Sequence, residues 1–197
     1  RLVWEGLPQT ANSLAFLRPL LMILRERYSI EVHVVTDRTY FRYLGGYGKA
    51  DATASLKNIL SDIPFYFHEW SEATCANIIC SCDLAVIPLI LNDSFAAGKP
   101  ENKLLLFWRM AMPVITSSTP AYTRAMGAAG MSYAAKDEAE WLTLLECLIS
   151  DENARCSAGL MGKSYVERVH SEARLLAQWD AVFESLGFNF NGNEFTS

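Results

Sequence analysis

The sequence predicts one α/β domain built on a doubly wound parallel sheet. Short apolar or β-branched runs alternate with stretches whose apolar residues recur at helical spacing, from Leu2 to Leu186. No linker, internal repeat or low-complexity tract interrupts that alternation. The 197 residues suffice for a full core, and 51% apolar with 20% charged residues excludes a disordered chain.

Taken in order, Leu2 to Trp4 is a first strand, ended by the turn Gly6-Leu7-Pro8. Thr10 or Asn12 is positioned to cap a helix carrying Leu14, Leu17, Leu21 and Leu24, which Pro19 should kink or shorten. Ile30 to Val35 is dense in β-branched residues and reads as the second strand. Gly45-Gly46-Tyr47-Gly48 marks a mobile turn, and Ala52 to Leu60 a helix. Pro64 to Trp70 is the third strand, with Ser71 placed to cap a helix to about Ser81. Leu84 to Leu89 is a buried fourth strand, Leu91 to Pro100 a loop, and Glu101 to Ala111 a helix. Pro113 to Thr116 is the fifth strand, Pro120 to Met126 a short helix, and Met131 to Ala134 an edge strand. Three amphipathic helices close the chain: Asp137 to Ile149, Glu152 to Val169 and Glu172 to Leu186. Residues 1–187 thus form the domain, and the polar stretch 188–197 is expected to fray.

Composition removes several function classes. A net charge of −5 argues against a general nucleic-acid binder. No apolar run reaches the ~20 residues of a membrane-spanning helix, and no signal peptide opens the chain. Cys75, Cys80, Cys82, Cys147 and Cys156 have no zinc or Cys-x-x-Cys spacing and read as buried free thiols of a cytoplasmic protein. The opening on Arg1, directly before a strand, suggests a piece of a longer chain.

In a doubly wound sheet the ligand crevice lies beyond the carboxyl ends of the strands. That rule selects residues 6–12, 37–42, 70–72, 88–103 and 116–122. The richest segment is Gly98-Lys99-Pro100-Glu101-Asn102-Lys103. It opens a helix, whose free N–H groups and partial positive charge suit a phosphate. Lys99 and Lys103 add cations where the helix dipole disfavours them, which suggests an anion between them; a solvated, Pro-capped helix start is the simpler alternative. Ser117, Ser118 and Thr119 offer hydroxyls at a second strand-to-helix junction, where plain capping is the simpler role. Trp70 ends a strand where a nucleobase could stack, or belongs to the core. Gly6-Leu7-Pro8 lacks the glycines of a dinucleotide fingerprint. His33, His68 and His170 are scattered and read as structural.

The order of pieces between Trp70 and Tyr122 resembles the GT-B-fold glycosyltransferases of the glycogen-synthase-like superfamily. The resemblance rests on the Ile78-to-Leu89 segment, the Lys99-to-Trp108 segment and Ala111-Met112-Pro113-Val114-Ile115. More loosely it covers the whole chain. It implies the Rossmann-like C-terminal half of a GT-B fold, without the N-terminal half that binds the acceptor. It implies a nucleoside-diphosphate sugar as donor substrate, no cofactor, no metal, and transfer with retention, as in polysaccharide biosynthesis. Lys99, Lys103 and Glu101 are the expected catalytic groups. Gly6, Arg38, Trp70, Pro88, Asn102, Ser117, Ser118 and Thr119 are the expected donor contacts. Membrane association would come only from the absent half. The chain also departs from the family. Relatives carry two glutamates eight positions apart, and those places fall on Gly98 and Leu106. The usual Arg and Lys after the first strand are absent from residues 5–16, so the cation either comes from Lys99, Lys103 or Arg38 or is missing. Two alternatives follow: a degenerate, non-catalytic module of the same fold used for interaction, and a nucleotide-sugar epimerase.

Overall fold

The computed structural model describes residues 1–41 and 48–188. The expected turn at Gly45-Gly46-Tyr47 and the tail from residue 189 onward lie outside the described residues. A six-stranded sheet forms the centre, built from β1 (Leu2–Glu5), β2 (Val32–Thr36), β5 (Phe65–Glu69), β6 (Leu84–Ile87), β7 (Val114–Ser117) and β8 (Ala134–Ala135). Its spatial order is β5-β2-β1-β6-β7-β8, with every neighbouring pair parallel. The register sets Leu2 beside both Val32 and Leu84, and Ala85 beside Val114. All four residues of β6 and of β7 are buried, as expected of strands covered on both faces.

Alternate residues of each strand feed two separate cores. Leu2, Trp4, Val32, Val34, Leu84 and Val86 pack with the helices α1 (Leu14–Arg25), α2 (Ala52–Ile59) and α7 (Glu138–Ser150). Val3, Val35, Ala85, Ile87 and Val114 pack on the other face, with α3 (Glu72–Cys80), α5 (Asn102–Arg109), α6 (Pro120–Ala128) and α8 (Glu152–Val169). α8 meets α5 through glycines. A Cβ on Gly162 would lie 2.3 Å from the Trp108 ring, and one on Gly159 would lie 2.0 Å from the Ala111 carbonyl. The last helix, α9 (Glu172–Ser185), buries no residue and leaves Leu176, Trp179 and Val182 exposed.

Several local expectations are corrected. The chain enters α1 through a 3₁₀ turn, Pro8–Ser13, and neither Thr10 nor Asn12 caps that helix. Thr10 instead donates its hydroxyl to the Leu7 carbonyl at 2.8 Å. Pro19 sits inside α1 without ending it. Two short strands, β3 (Thr39–Phe41) and β4 (Lys49–Asp51), pair antiparallel outside the main sheet, and Asp51 caps α2 through Thr53 N at 2.7 Å. The loop after β6 contains a short helix, α4 (Ser94–Ala97). α5 begins at Asn102 with Glu101 as its cap residue, so Pro100 precedes the helix rather than opening it. The edge strand forms at Ala134–Ala135, later than the apolar run suggested. Cys82 is buried, whereas Cys80, Cys147 and Cys156 are exposed; all five thiols are free.

Candidate functional site

Strand order reverses between β1 and β6: the chain leaves β1 toward β2 on one side and returns to β6 on the other. Loops leaving the two strands therefore diverge, and a crevice opens at their carboxyl ends. A cavity of about 560 Å³ lies there, walled by Trp4 and Glu5 from β1, Asn12 from the 3₁₀ turn, Pro88 and Leu89 after β6, and Asn102 and Lys103 from α5. A second lobe of about 570 Å³ continues past Gly6, Leu7, Asp37 and Trp70. Glu5, Thr10, Lys99 and Lys103 border both lobes.

Lys103 is the hinge of this geometry. From the first turn of α5 its ammonium crosses to the end of β1 and donates to the Glu5 carbonyl oxygen. The Glu5 carboxylate lies 3.4 Å away, and the Trp4 ring lies beneath at 5.5 Å. Burial pulls the Lys103 ammonium below the usual lysine range, while Glu5 acts in the opposite direction and Lys99 adds to the lowering. Gly6 makes room for this arrangement: a Cβ there would stand 2.8 Å from Lys103 Nζ and 2.9 Å from the Trp4 ring. The Gly6 carbonyl is fixed by the buried Thr36 hydroxyl, which donates to it at 2.6 Å. Across the first lobe Tyr122 is buried, and its hydroxyl is pushed up to about 12, first by burial and then by Glu101.

The structure gathers part of the expected set. Lys99, Lys103, Pro88 and Asn102 line the first lobe, and Gly6 and Trp70 line the second with both lysines. The remaining five residues line neither lobe. Glu101 turns toward α6, where both carboxylate oxygens lie 3.2 Å from Arg124. Arg38 pairs with Glu69 at 3.2 Å and lies over the Phe67 ring at 4.9 Å. Ser117 donates its hydroxyl to the Leu89 carbonyl at 3.0 Å and accepts from the Leu89 amide at 2.8 Å. The Ser118 amide donates to the Ala135 carbonyl at 2.8 Å. Thr119 is fully buried and caps α6 by accepting from Tyr122 N at 3.3 Å. The Ser117 and Thr119 hydroxyls, expected to face a ligand, are thus held by a strand end and a helix start.

Glu5, Asp93 and Tyr122 also line the crevice and were not singled out from the sequence. Glu5 is the last residue of β1, so the strand-end rule reaches it when applied one residue earlier. Tyr122 lies at the boundary of a segment that rule selects, but apolar helix periodicity hides its role. In charge, the two lobes set the carboxylates of Glu5, Asp37 and Asp93 against the ammoniums of Lys99 and Lys103. No histidine lines either lobe among the described residues. His33 and His68 lie 2.9 Å apart on adjacent strands, and His170 packs on Tyr165 at 5.6 Å. Among the described residues no group of three or more His, Cys, Asp or Glu side chains is gathered to hold a metal ion, and no helix is long and apolar enough to cross a membrane.

No sequence family and no curated protein matches the chain. Solved structures do. Sucrose-phosphate synthase from Thermosynechococcus elongatus superposes with a TM-score of 0.68 at 13% identity, over 94% of this chain and 45% of its own. TarM from S. aureus, solved with Fondaparinux, alpha-GlcNAc-glycerol and UDP, gives 0.64 at 9% identity, over 92% and 35%. The C-terminal domain of a group 1 glycosyl transferase (LpcC) from Francisella tularensis gives 0.57 at 14% identity, over 87% of this chain and 85% of that domain. The chain thus spans less than half of the first two proteins and nearly all of the third. Its fold is the Rossmann-like fold of the C-terminal half of GT-B glycosyltransferases.

Proposed function

We propose that the chain is the donor-binding half of a glycosyltransferase and holds a nucleoside-diphosphate sugar in the crevice between β1 and β6. The observation that carries this is the meeting of Lys99, Lys103 and the entrance of α5 at the point where strand order reverses. The first turn of α5, where helix N–H groups lack intrahelical partners, and the Lys103 ammonium border the same volume, an arrangement that suits a diphosphate. Lys103 reaches the end of β1 from across the crevice. It therefore supplies a cation where the loop after β1 carries none. The UDP held by TarM is consistent with a ligand of this class. The second lobe, with Trp70 at its rim, is a place for the base.

On this reading the phosphates leave as a diphosphate stabilised by Lys103, Lys99 and backbone N–H donors, with the sugar transferred under retention to an acceptor held by a second domain. The bare apolar face of α9, with Trp179 60% and Leu176 56% exposed, supports a partner domain on that side. Thermal-shift titration with UDP, GDP and their sugars tests the donor site; no stabilisation by any of them removes it. Lys99→Ala with Lys103→Ala in the full-length enzyme tests the mechanism, and undiminished sugar transfer removes both lysines from it.

One observation favours a second reading, a non-catalytic module of the same fold. Among the described residues three carboxylates and two ammoniums line the crevice, and Lys103 is already paired. Absence of transfer by the full-length wild type with every donor that binds would select this reading. The epimerase alternative relies on His near the crevice, and His33, His68 and His170 lie elsewhere.

A further inference from the structure

We propose that the Glu5 carboxylate is a built-in counter-ion for Lys103, displaced when the phosphates of the donor enter, and that it sets how tightly the crevice holds a diphosphate. The inference rests on the nucleoside-diphosphate reading above.

Lys103 brings three N–H donors to the crevice. One is used by the Glu5 carbonyl, and the carboxylate of the same residue stands 3.4 Å from the nitrogen. The carbonyl is main chain of β1, where Glu5 stands in register with Val35, so it has little freedom to move. The carboxylate is on a flexible stem and is free to leave. Two bonds to one residue therefore differ in kind: the first anchors the ammonium, and the second fills the position of an external anion.

Burial explains why such a filler is needed. The Lys103 side chain is 29% exposed and that of Glu5 16%. An ammonium in that setting is costly without a partner, and Glu5 offsets the cost in the empty crevice. The same burial gives the carboxylate its second effect. Glu5 borders both lobes, so a phosphate that reaches Lys103 comes close to a half-buried negative charge. Like charges at such distances in a partly dry site repel strongly. Each diphosphate must therefore replace Glu5 at the ammonium and push the carboxylate aside, and its net affinity is the difference between the two. Glu5 thereby makes the site discriminating: a ligand with one weak anionic group does not displace the internal one, whereas a diphosphate does.

Glu5→Gln tests this, because it keeps the shape and one acceptor oxygen and removes the charge. Calorimetric titration of the whole chain at neutral pH and low ionic strength would use inorganic pyrophosphate, UDP and GDP as probes. The expected result is binding about tenfold tighter in Glu5→Gln than in the wild type for every probe that binds. The gain should shrink when Lys103→Met is added, since the counter-ion part of it needs the ammonium and only the relief of repulsion is left. Equal or weaker binding in Glu5→Gln overturns the proposal. A gain with pyrophosphate but no binding of either nucleotide sustains the counter-ion and removes the nucleoside reading. No binding of any probe by either form removes both. Circular dichroism reports whether the variant folds, and Glu5→Met, uncharged and of similar length, gives the same comparison if Glu5→Gln does not.

Discussion

Ser117 and Leu89 hold each other twice: one hydroxyl both donates to and accepts from the backbone of a residue 28 positions away. The pair ties the end of β7 to the stretch that leaves β6. Leu89 lines the first lobe, so a buried polar side chain fixes the crevice wall from behind.

Ser117→Ala is therefore expected to lower stability by about 1–2 kcal/mol, because the Leu89 amide and carbonyl lose a buried partner. Ligand affinity should fall as well, with the folded core unchanged. Urea unfolding followed by tryptophan fluorescence measures the first effect, and nucleotide titration the second.

Gly6→Ala should act on the cation rather than on the core. The new methyl meets Lys103 Nζ at 2.8 Å and the Trp4 ring at 2.9 Å, so the ammonium must leave the end of β1. A loss of about 1–3 kcal/mol in stability is expected. The diagnostic outcome is that adding Lys103→Ala costs little further nucleotide affinity, because the amine has already been displaced.

Gly159→Ala on α8 has no room at all. Its Cβ would lie 2.0 Å from the backbone oxygen of Ala111, whose φ of 53° already places it in the left-handed region. Backbone cannot rotate out of the way as a side chain does. A loss of about 3 kcal/mol is expected in urea unfolding, with α8 forced off α5.

The opposite result is expected on α9. Leu176→Gln and Trp179→Gln remove large apolar groups that are 56% and 60% exposed. Each should change the melting free energy of the chain by no more than about 0.5 kcal/mol. A large loss would mean that α9 is packed against the domain rather than presented outward.

His68 gives a pH dependence of known sign. Burial, then the neighbouring His33, holds its imidazole below the ordinary 6.5. The unfolded chain therefore takes up the proton first as pH falls. This contribution to stability is complete above the unfolded value and is lost as pH drops through it toward the lower folded value. Unfolding midpoints of the wild type should decline below pH 6.5 more steeply than those of His68→Gln, which lacks the group.

Much of this architecture is legible in the sequence, for a physical reason. A strand buried on both faces is mostly apolar, and Leu84–Ile87 throughout and Val114–Ile115 at the start of β7 show this clearly enough to be seen in isolation. The α5 entrance is visible for the same kind of reason, because strand, loop and helix follow one another within residues 84–103. What stays hidden depends on partners far along the chain. The capping potential of Thr10 and Asn12 is not used, because Pro8 starts a 3₁₀ turn that absorbs those positions. Ser117 and Thr119 look available to a ligand until Leu89 and Tyr122 are brought beside them. The pairing of Glu101 with Arg124 is equally hidden, because it forms only when α6 is brought beside the start of α5. Glu5 shows the reverse: an ordinary strand-end acid acquires its role only through a lysine 98 residues away.

The position of β1 has a consequence for how the chain matures. It lies at the middle of the sheet, flanked by β2 on one side and β6 on the other, with Leu2 in register with Leu84. As residues leave the ribosome in order, β1 and β2 can pair early, but the other edge of β1 stays open until Leu84–Ile87 has been synthesised. An uncovered apolar strand edge is a template for pairing between molecules. The interval before β6 emerges is therefore the vulnerable phase of biogenesis, and slowing translation between β5 and β6 should raise the share of chains lost to aggregation.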